Sequence, residues 1–223
     1  MRFLRIAGLA GIGFTLVLIV ANTFLLSSGF PAPSEAVAPE RLAGIFDGSE
    51  RTLRVASAFL PVAWLLSSIF AAGVFAVQSG RDVRRGDAWS VLGLAGVLLQ
   101  NLAFTGVEAT RLAMTAVESS DTLAGLWVLY NGFFGFNQVF LALALLGFSV
   151  SGLKGRMIAR WHAAIGLAGA AALLASATTS PLATVNPLSL LGLIGWLLWV
   201  VWIAVYSVAL LRGRLDPTRV AAD

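Results

Sequence analysis

The chain is 223 residues long, 58% hydrophobic and 12% charged, with a formal net charge of +4, where an ordinary soluble domain carries about 25% charged residues. It has no cysteine, which excludes disulfides, thiolate metal centres and thiol redox chemistry. Its 15 lysines and arginines sit in short segments between apolar runs, so there is no basic stripe for nucleic acid.

Six uncharged runs follow one another: Ile6–Leu26, Val55–Gln78, Ala88–Val107, Leu123–Ser151, Trp161–Ser180 and Leu188–Leu211. About 20 apolar residues cross the ~30 Å hydrocarbon core as a helix. The pattern predicts an all-α polytopic transmembrane bundle of six helices, a single membrane domain over residues 1–223. The third helix is expected to continue through Glu108 and Arg111 to about residue 115. Lys and Arg near span ends favour the cytoplasm. Eleven of them (Arg2, Arg5, Arg81, Arg84, Arg85, Lys154, Arg156, Arg160, Arg212, Arg214 and Arg219) fall on one side, against Arg41, Arg51, Arg54 and Arg111 on the other. The N-terminus and the C-terminus are therefore expected to be cytoplasmic.

In chain order, Arg2, Arg5, a long apolar run and then Ala36-Val37-Ala38 share features with a signal peptide. The run of 21 residues exceeds the usual h-region, and the small-residue site lies well beyond its end; an uncleaved first helix is expected. Residues 27–49 read as an outer loop, stiffened by Pro31, Pro33 and Pro39 and carrying an apolar patch of Leu42, Ile45 and Phe46. Asp47 followed by Glu50 has the capping-box pattern for the second helix. Asp87 and Asp121 precede the third and fourth helices as candidate caps, and Asn186-Pro187 supplies a cap and a first-turn proline for the sixth. Trp89, Trp127 and Trp161 fall at span ends, where an indole suits headgroup depth.

Polar side chains inside spans must find partners, because lipid offers none. The third helix carries Gln100, Asn101, Thr105, Glu108 and Arg111; the fourth carries Tyr130, Asn131, Asn137 and Gln138. Asn101, Thr105 and Glu108 share one helical face by spacing. Asn101 and Asn137 both fall about 20 Å from the relevant ends of consecutive antiparallel helices, which predicts a hydrogen bond from Asn101 to Asn137 or Gln138. Such amides serve as interhelical ties or as polar spots that orient a ligand in an apolar cavity. Glu108 and Arg111, three residues apart, are expected to form an ion pair at the outer interface with Arg111 reaching outward. The competing role is ligand anchoring or ion coupling.

Aromatic residues recur at helical spacing as Trp196, Trp199, Trp202 and Tyr206 on the sixth helix and as Phe133, Phe136 and Phe140 on the fourth, with Trp64 on the second. Such stripes pack cores, although each buried indole N–H needs an acceptor. On the fifth helix, Ala163, Gly166 and Ala170 leave a smooth face for a close neighbour. His162, the only histidine, lies at the cytoplasmic end of that helix, about 25–30 Å across the bilayer from Glu108. That is too far for joint acid–base work. One histidine does not make bis-histidine haem or the usual zinc sets, and neither a lysine within a span nor a Gly-x-Ser-x-Gly elbow occurs.

Phe136-Asn137-Gln138 through Leu146-Gly147, then Ser151-Gly152-Leu153 and Arg160-Trp161, together with Arg5-Ile6-Ala7-Gly8 at the start, resembles uncharacterised six-helix bacterial membrane families. The resemblance implies architecture and carries over no catalytic residue. The Ala/Gly/Val/Leu-rich, Arg-over-Lys composition points to a bacterial plasma (inner) membrane, with the bilayer as the chain's surroundings. The expected function is non-catalytic binding of an apolar or amphipathic, lipid-like molecule, or of a partner helix, within the bundle. The candidate contacts are Gln100, Asn101, Glu108, Arg111, Asn137, Gln138, Trp199 and Trp202. No catalytic residue, metal ligand or cofactor is expected. The alternatives are a small transporter or channel subunit and a membrane enzyme acting on lipid.

Overall fold

One seven-residue rhythm of inward-facing side chains runs almost the whole length of the longest helix. Leu42, Phe46, Leu53, Ala56, Leu60, Ala63, Ser67, Phe70, Val74 and Val77 are all buried; the step from Phe46 to Leu53 is a full seven, and from Leu53 onward steps of three and four alternate as in a coiled-coil seam. The computed structural model describes residues 2–33, 35, 37–179 and 189–213. It contains α1 (Arg2–Ser27), α2 (Pro39–Arg85), α3 (Trp89–Met114), α4 (Ser120–Lys154), α5 (Arg160–Thr179) and α6 (Ser189–Leu211), with no strand among the described residues. All six hold a stretch long and apolar enough to cross a membrane, and the chain is a multi-pass membrane protein.

The seam corrects the expectation of a loop over residues 27–49. Its buried positions begin before the span, so residues from Pro39 onward are already helical. With 47 residues, α2 is about 70 Å long, more than twice the hydrocarbon thickness. Proline in the first turn gives up no helical hydrogen bond, and Gly86, at φ +68, closes the other end. Its N–H meets Val83 O at 3.1 Å while Asp87 N–H meets Asp82 O at 2.9 Å, a turn that favours glycine.

Three capping expectations fail for related reasons. Asp47 and Glu50 lie inside α2, and Glu50 pairs with Arg54 at 2.8 Å. Asp87 does not cap α3; its carboxylate accepts from Lys154 (2.8 Å) and Arg85 (3.0 Å), and these cations hold it below the usual carboxylate range. Asp121 lies in the first turn of α4, and the cap is Ser119, whose Oγ accepts from Thr122 N–H at 3.5 Å. Asn186-Pro187 lies outside the described residues.

The helices pack in a ring, each against its neighbours in sequence and α6 against α1, with α2 also touching α4. Gly8 of α1 lies against Ser207 and Leu211 of α6, so the two described chain ends share one end of the bundle. That end also carries the α2–α3 and α4–α5 turns with Arg81, Arg84, Arg85, Lys154 and Arg156, and it is termed the basic end; the other is the distal end. Glycine sets the closest approach, between α3 and α4. A Cβ at Gly96 would lie 2.4 Å from Ala144 N, and one at Gly147 would lie 2.3 Å from Gly93 N. The small face of α5 behaves as expected, with Ala163, Gly166 and Ala170 buried.

Candidate functional site

Two apolar clusters divide the interior. The larger gathers Phe14, Phe70, Leu145, Phe148, Trp202 and Tyr206. The distal one gathers Leu42, Phe46, Met114, Leu123, Trp127 and Tyr130, with Phe30 packed on it. Aromatic rings hold the distal cluster together: Trp127 stacks on Tyr130 (5.2 Å), while Phe30 meets Trp127, Tyr130 and Phe46 edge-on (5.8, 5.5 and 6.0 Å). Trp127 is therefore buried inside this cluster, and its Nε1 donates to Glu35 O at 3.4 Å.

Glu108 and Arg111 lie under these rings. They form the expected ion pair, Arg111 Nη2 to Glu108 Oε2, but the expected exposure is wrong. Their side chains are only 5% and 2% accessible. The cause is the distal part of α2 together with the α1–α2 connection, whose Ser57 and Phe30 lie against the guanidinium. The same Nη2 donates to Ser57 Oγ of α2 at 3.1 Å, and Phe30 lies 5.9 Å from the guanidinium carbon. Ser57 also lies beside the Glu108 carboxyl, but its hydroxyl donates to Leu53 O (3.1 Å). Two buried polar atoms of the pair have no hydrogen-bond partner among the described residues: Glu108 Oε1, an acceptor, and Arg111 Nε, a donor.

The predicted centre of amides does not form. Asn101 turns to α2, not α4. Its Oδ1 accepts from Ser67 Oγ (3.0 Å), and its Nδ2 donates to Ser68 Oγ (3.1 Å) and Trp64 O (3.3 Å). Three α2 partners outcompete one amide on α4. Thr105 is exposed and bonds back to Asn101 O (2.9 Å), so the shared face of Asn101, Thr105 and Glu108 is not one environment. Gln100 and Asn137 are buried between the Gly96–Ala144 and Gly106–Phe133 contacts of α3 and α4. Gln138 lies toward α6, where a Cβ on Gly192 would come within 3.2 Å of its Nε2 and 2.8 Å of Ser176 Oγ.

Trp199 and Trp202 are buried in the larger cluster, with Phe14 edge-on to Trp199 at 5.1 Å. Together with Ser67, Phe70 and Phe148 they border a cavity of about 10 Å³, room for about one water molecule. Phe136, by contrast, is 62% exposed, so its stripe is not all core. The eight candidate residues thus fall in three places: the distal ion pair, the amides at mid-depth, and the indoles of the core.

Sequence reasoning missed the second buried carboxylate. Asp82 is 1% accessible and accepts from Ser90 N–H (2.7 Å), Ser151 Oγ (2.9 Å to each oxygen) and Arg85 Nη2 (2.6 Å). Nearby, Gln78 Nε2 donates to Phe148 O and Tyr206 Oη, both at 3.0 Å. His162 Nε2 lies 3.0 Å from Trp202 O, and because a carbonyl only accepts, Nε2 is the donor. A signal for Asp82 existed. It continues the buried face of Val74 and Gln78 at steps of four, although its neighbours Arg81, Arg84 and Arg85 make the segment read as solvated.

Compared with known protein families, with curated proteins and with solved structures, the chain matches none.

Proposed function

We propose that this is a non-catalytic binding protein of the bacterial plasma membrane, with its termini cytoplasmic and its distal end outward, which takes an amphipathic molecule beside Glu108 and Arg111. The observation that carries the reading is the buried pair with one acceptor and one donor unused. Taking ions out of water costs several kcal/mol each unless their polar atoms are satisfied, so bare atoms on a buried pair favour a ligand that completes them. The adjoining faces of Phe30, Trp127 and Tyr130 suit the apolar part of such a molecule. A binding role without turnover at this site is supported by the separation of Glu108, near the end of α3, from His162, in the opening turn of α5 at the basic end.

Extraction from native membranes without detergent exchange, followed by mass spectrometry of the retained small molecules, tests this reading. One amphipathic species should be enriched over bulk lipid, and Glu108→Gln should lose it. Enrichment of nothing, or equal retention by the variant, overturns the reading. A second reading, a small transporter, is favoured by buried polar groups at three depths along α2: Ser57, Ser67 and Gln78, about 15 Å apart in succession. Uptake of labelled solutes into proteoliposomes discriminates it.

A further inference from the structure

We infer that the headgroup bound by the Glu108–Arg111 pair is zwitterionic, offering a primary ammonium to Glu108 and an anionic oxygen to Arg111. This deepens the binding reading above and rests on it. The unpartnered atoms of the pair set what a headgroup must offer. Arg111 already uses Nη2 on Glu108 Oε2 and Ser57, and Phe30 covers its guanidinium. Two buried atoms of the pair have no partner among the described residues: Glu108 Oε1, which needs a donor, and Arg111 Nε–H, which needs an acceptor.

The paired side chains are together neutral. A purely anionic headgroup would satisfy Arg111 Nε, leave Oε1 bare and add a net negative charge to a dry site. A purely cationic one would do the reverse. A zwitterion satisfies both atoms and adds no net charge, which avoids the penalty for burying an unpaired ion. A quaternary ammonium has no N–H to give to Oε1. Its usual alternative, an aromatic face, is in part already occupied, since Arg111 lies over Phe30.

The way in runs past Phe30. This ring is only half-buried, in the connection between α1 and α2. It follows Gly29, which has a φ of +70 and open space around it. Displacing this one ring uncovers the guanidinium, at the cost of its edge-on contacts with Phe46, Trp127 and Tyr130.

The test measures binding to the full chain in nanodiscs by native mass spectrometry. The probes are phosphatidylethanolamine, its choline and glycerol counterparts with the same acyl chains, and chain-free glycerophosphoethanolamine. Phosphatidylethanolamine should bind about tenfold more tightly than the choline and glycerol lipids, and Glu108→Gln should abolish that preference, as expected for one charge-assisted hydrogen bond. The unfolding temperature of Glu108→Gln, read beside its binding, separates loss of the preference from loss of the fold: a variant that stays folded and still prefers phosphatidylethanolamine overturns the headgroup inference. Equal binding of ethanolamine and choline lipids, or tightest binding of the glycerol lipid, overturns the headgroup inference and leaves the amphipathic reading standing. Free glycerophosphoethanolamine binding as tightly as the lipid would uphold the headgroup chemistry and overturn the amphipathic reading. No saturable binding of any probe overturns both.

Discussion

Among the described residues two carboxylates are buried, one at each end of the bundle, and they are satisfied in opposite ways. Asp82 belongs to α2 but receives Ser90 N–H of α3 and Ser151 Oγ of α4, so one side chain ties three helices and does for α3 what a cap of its own would do. Glu108 takes its hydrogen bond from Arg111 three residues along the same helix, and only through Arg111 and Ser57 does the pair reach α2. A carboxylate saturated by neighbouring helices acts as a joint. One held by its own helix, with an oxygen left over, is poised toward something else. The two ends differ in packing as well, with glycines bringing α3 and α4 together toward the basic end and aromatic rings filling the distal end.

The largest expected effect tests the joint. Asp82→Ala leaves Ser90 N–H and Ser151 Oγ buried without their acceptor, and should lower stability by about 3 kcal/mol, read as a drop in unfolding temperature in detergent. Glu108→Gln should cost less, about 2 kcal/mol, because the amide oxygen still accepts from Arg111 while the compensating charge is gone. Adding Arg111→Met should recover part of that loss, since no unpaired ion then remains. If Asp82→Ala proves milder than Glu108→Gln, the contrast between joint and poised site is wrong.

The packing contrast has its own test. Gly96→Ala puts a methyl 2.4 Å from a backbone nitrogen of α4, which α4 can relieve only by moving away, at about 1–3 kcal/mol. Gly132, in the distal half of α4, has nothing within 4 Å of where an alanine methyl would sit, so Gly132→Ala should raise stability by about 0.5 kcal/mol through the backbone alone. Parallel melts of the two variants should move in opposite directions.

Six spans are legible because apolar length is a local property of the chain, and so is the Glu108–Arg111 pair, which spacing alone dictates. What fails depends on neighbours distant in sequence. Residues 39–49 read as a loop from Pro39 and their charges, yet they fold because Leu42 and Phe46 have Phe30, Leu123 and Trp127 to pack against. Depth alone pairs Asn101 with α4, but depth does not fix rotation, and Ser67 and Ser68 on α2 are nearer. Asp82 looks solvated because three arginines surround it in sequence. Only the fold shows that Ser90 and Ser151 converge on it.

The smallest expected effect concerns Asp87, the surface carboxylate beside the Asp82 joint. Lys154 donates to both of its oxygens (2.8 and 3.1 Å) and Arg85 to one (3.0 Å), so its folded-state pKa lies below the ordinary 3.8. A carboxylate depressed on folding contributes stability that is fully present above its unfolded value and is lost as pH falls through the folded one. Asp87→Asn should therefore melt slightly lower than the native chain near neutral pH, and the gap should close as the medium is acidified below about pH 4. Salt should narrow the gap as well, because the pair is partly exposed and its charges are screened. Glu35, held down by Arg41 in the α1–α2 connection, should give a similar small signal at the distal end. An Asp87→Asn gap that persists unchanged at acid pH would mean that Asp87 acts through the Asp82 joint and not through its own charge, and the basic end would then have to be treated as a single network running from Arg85 to Lys154.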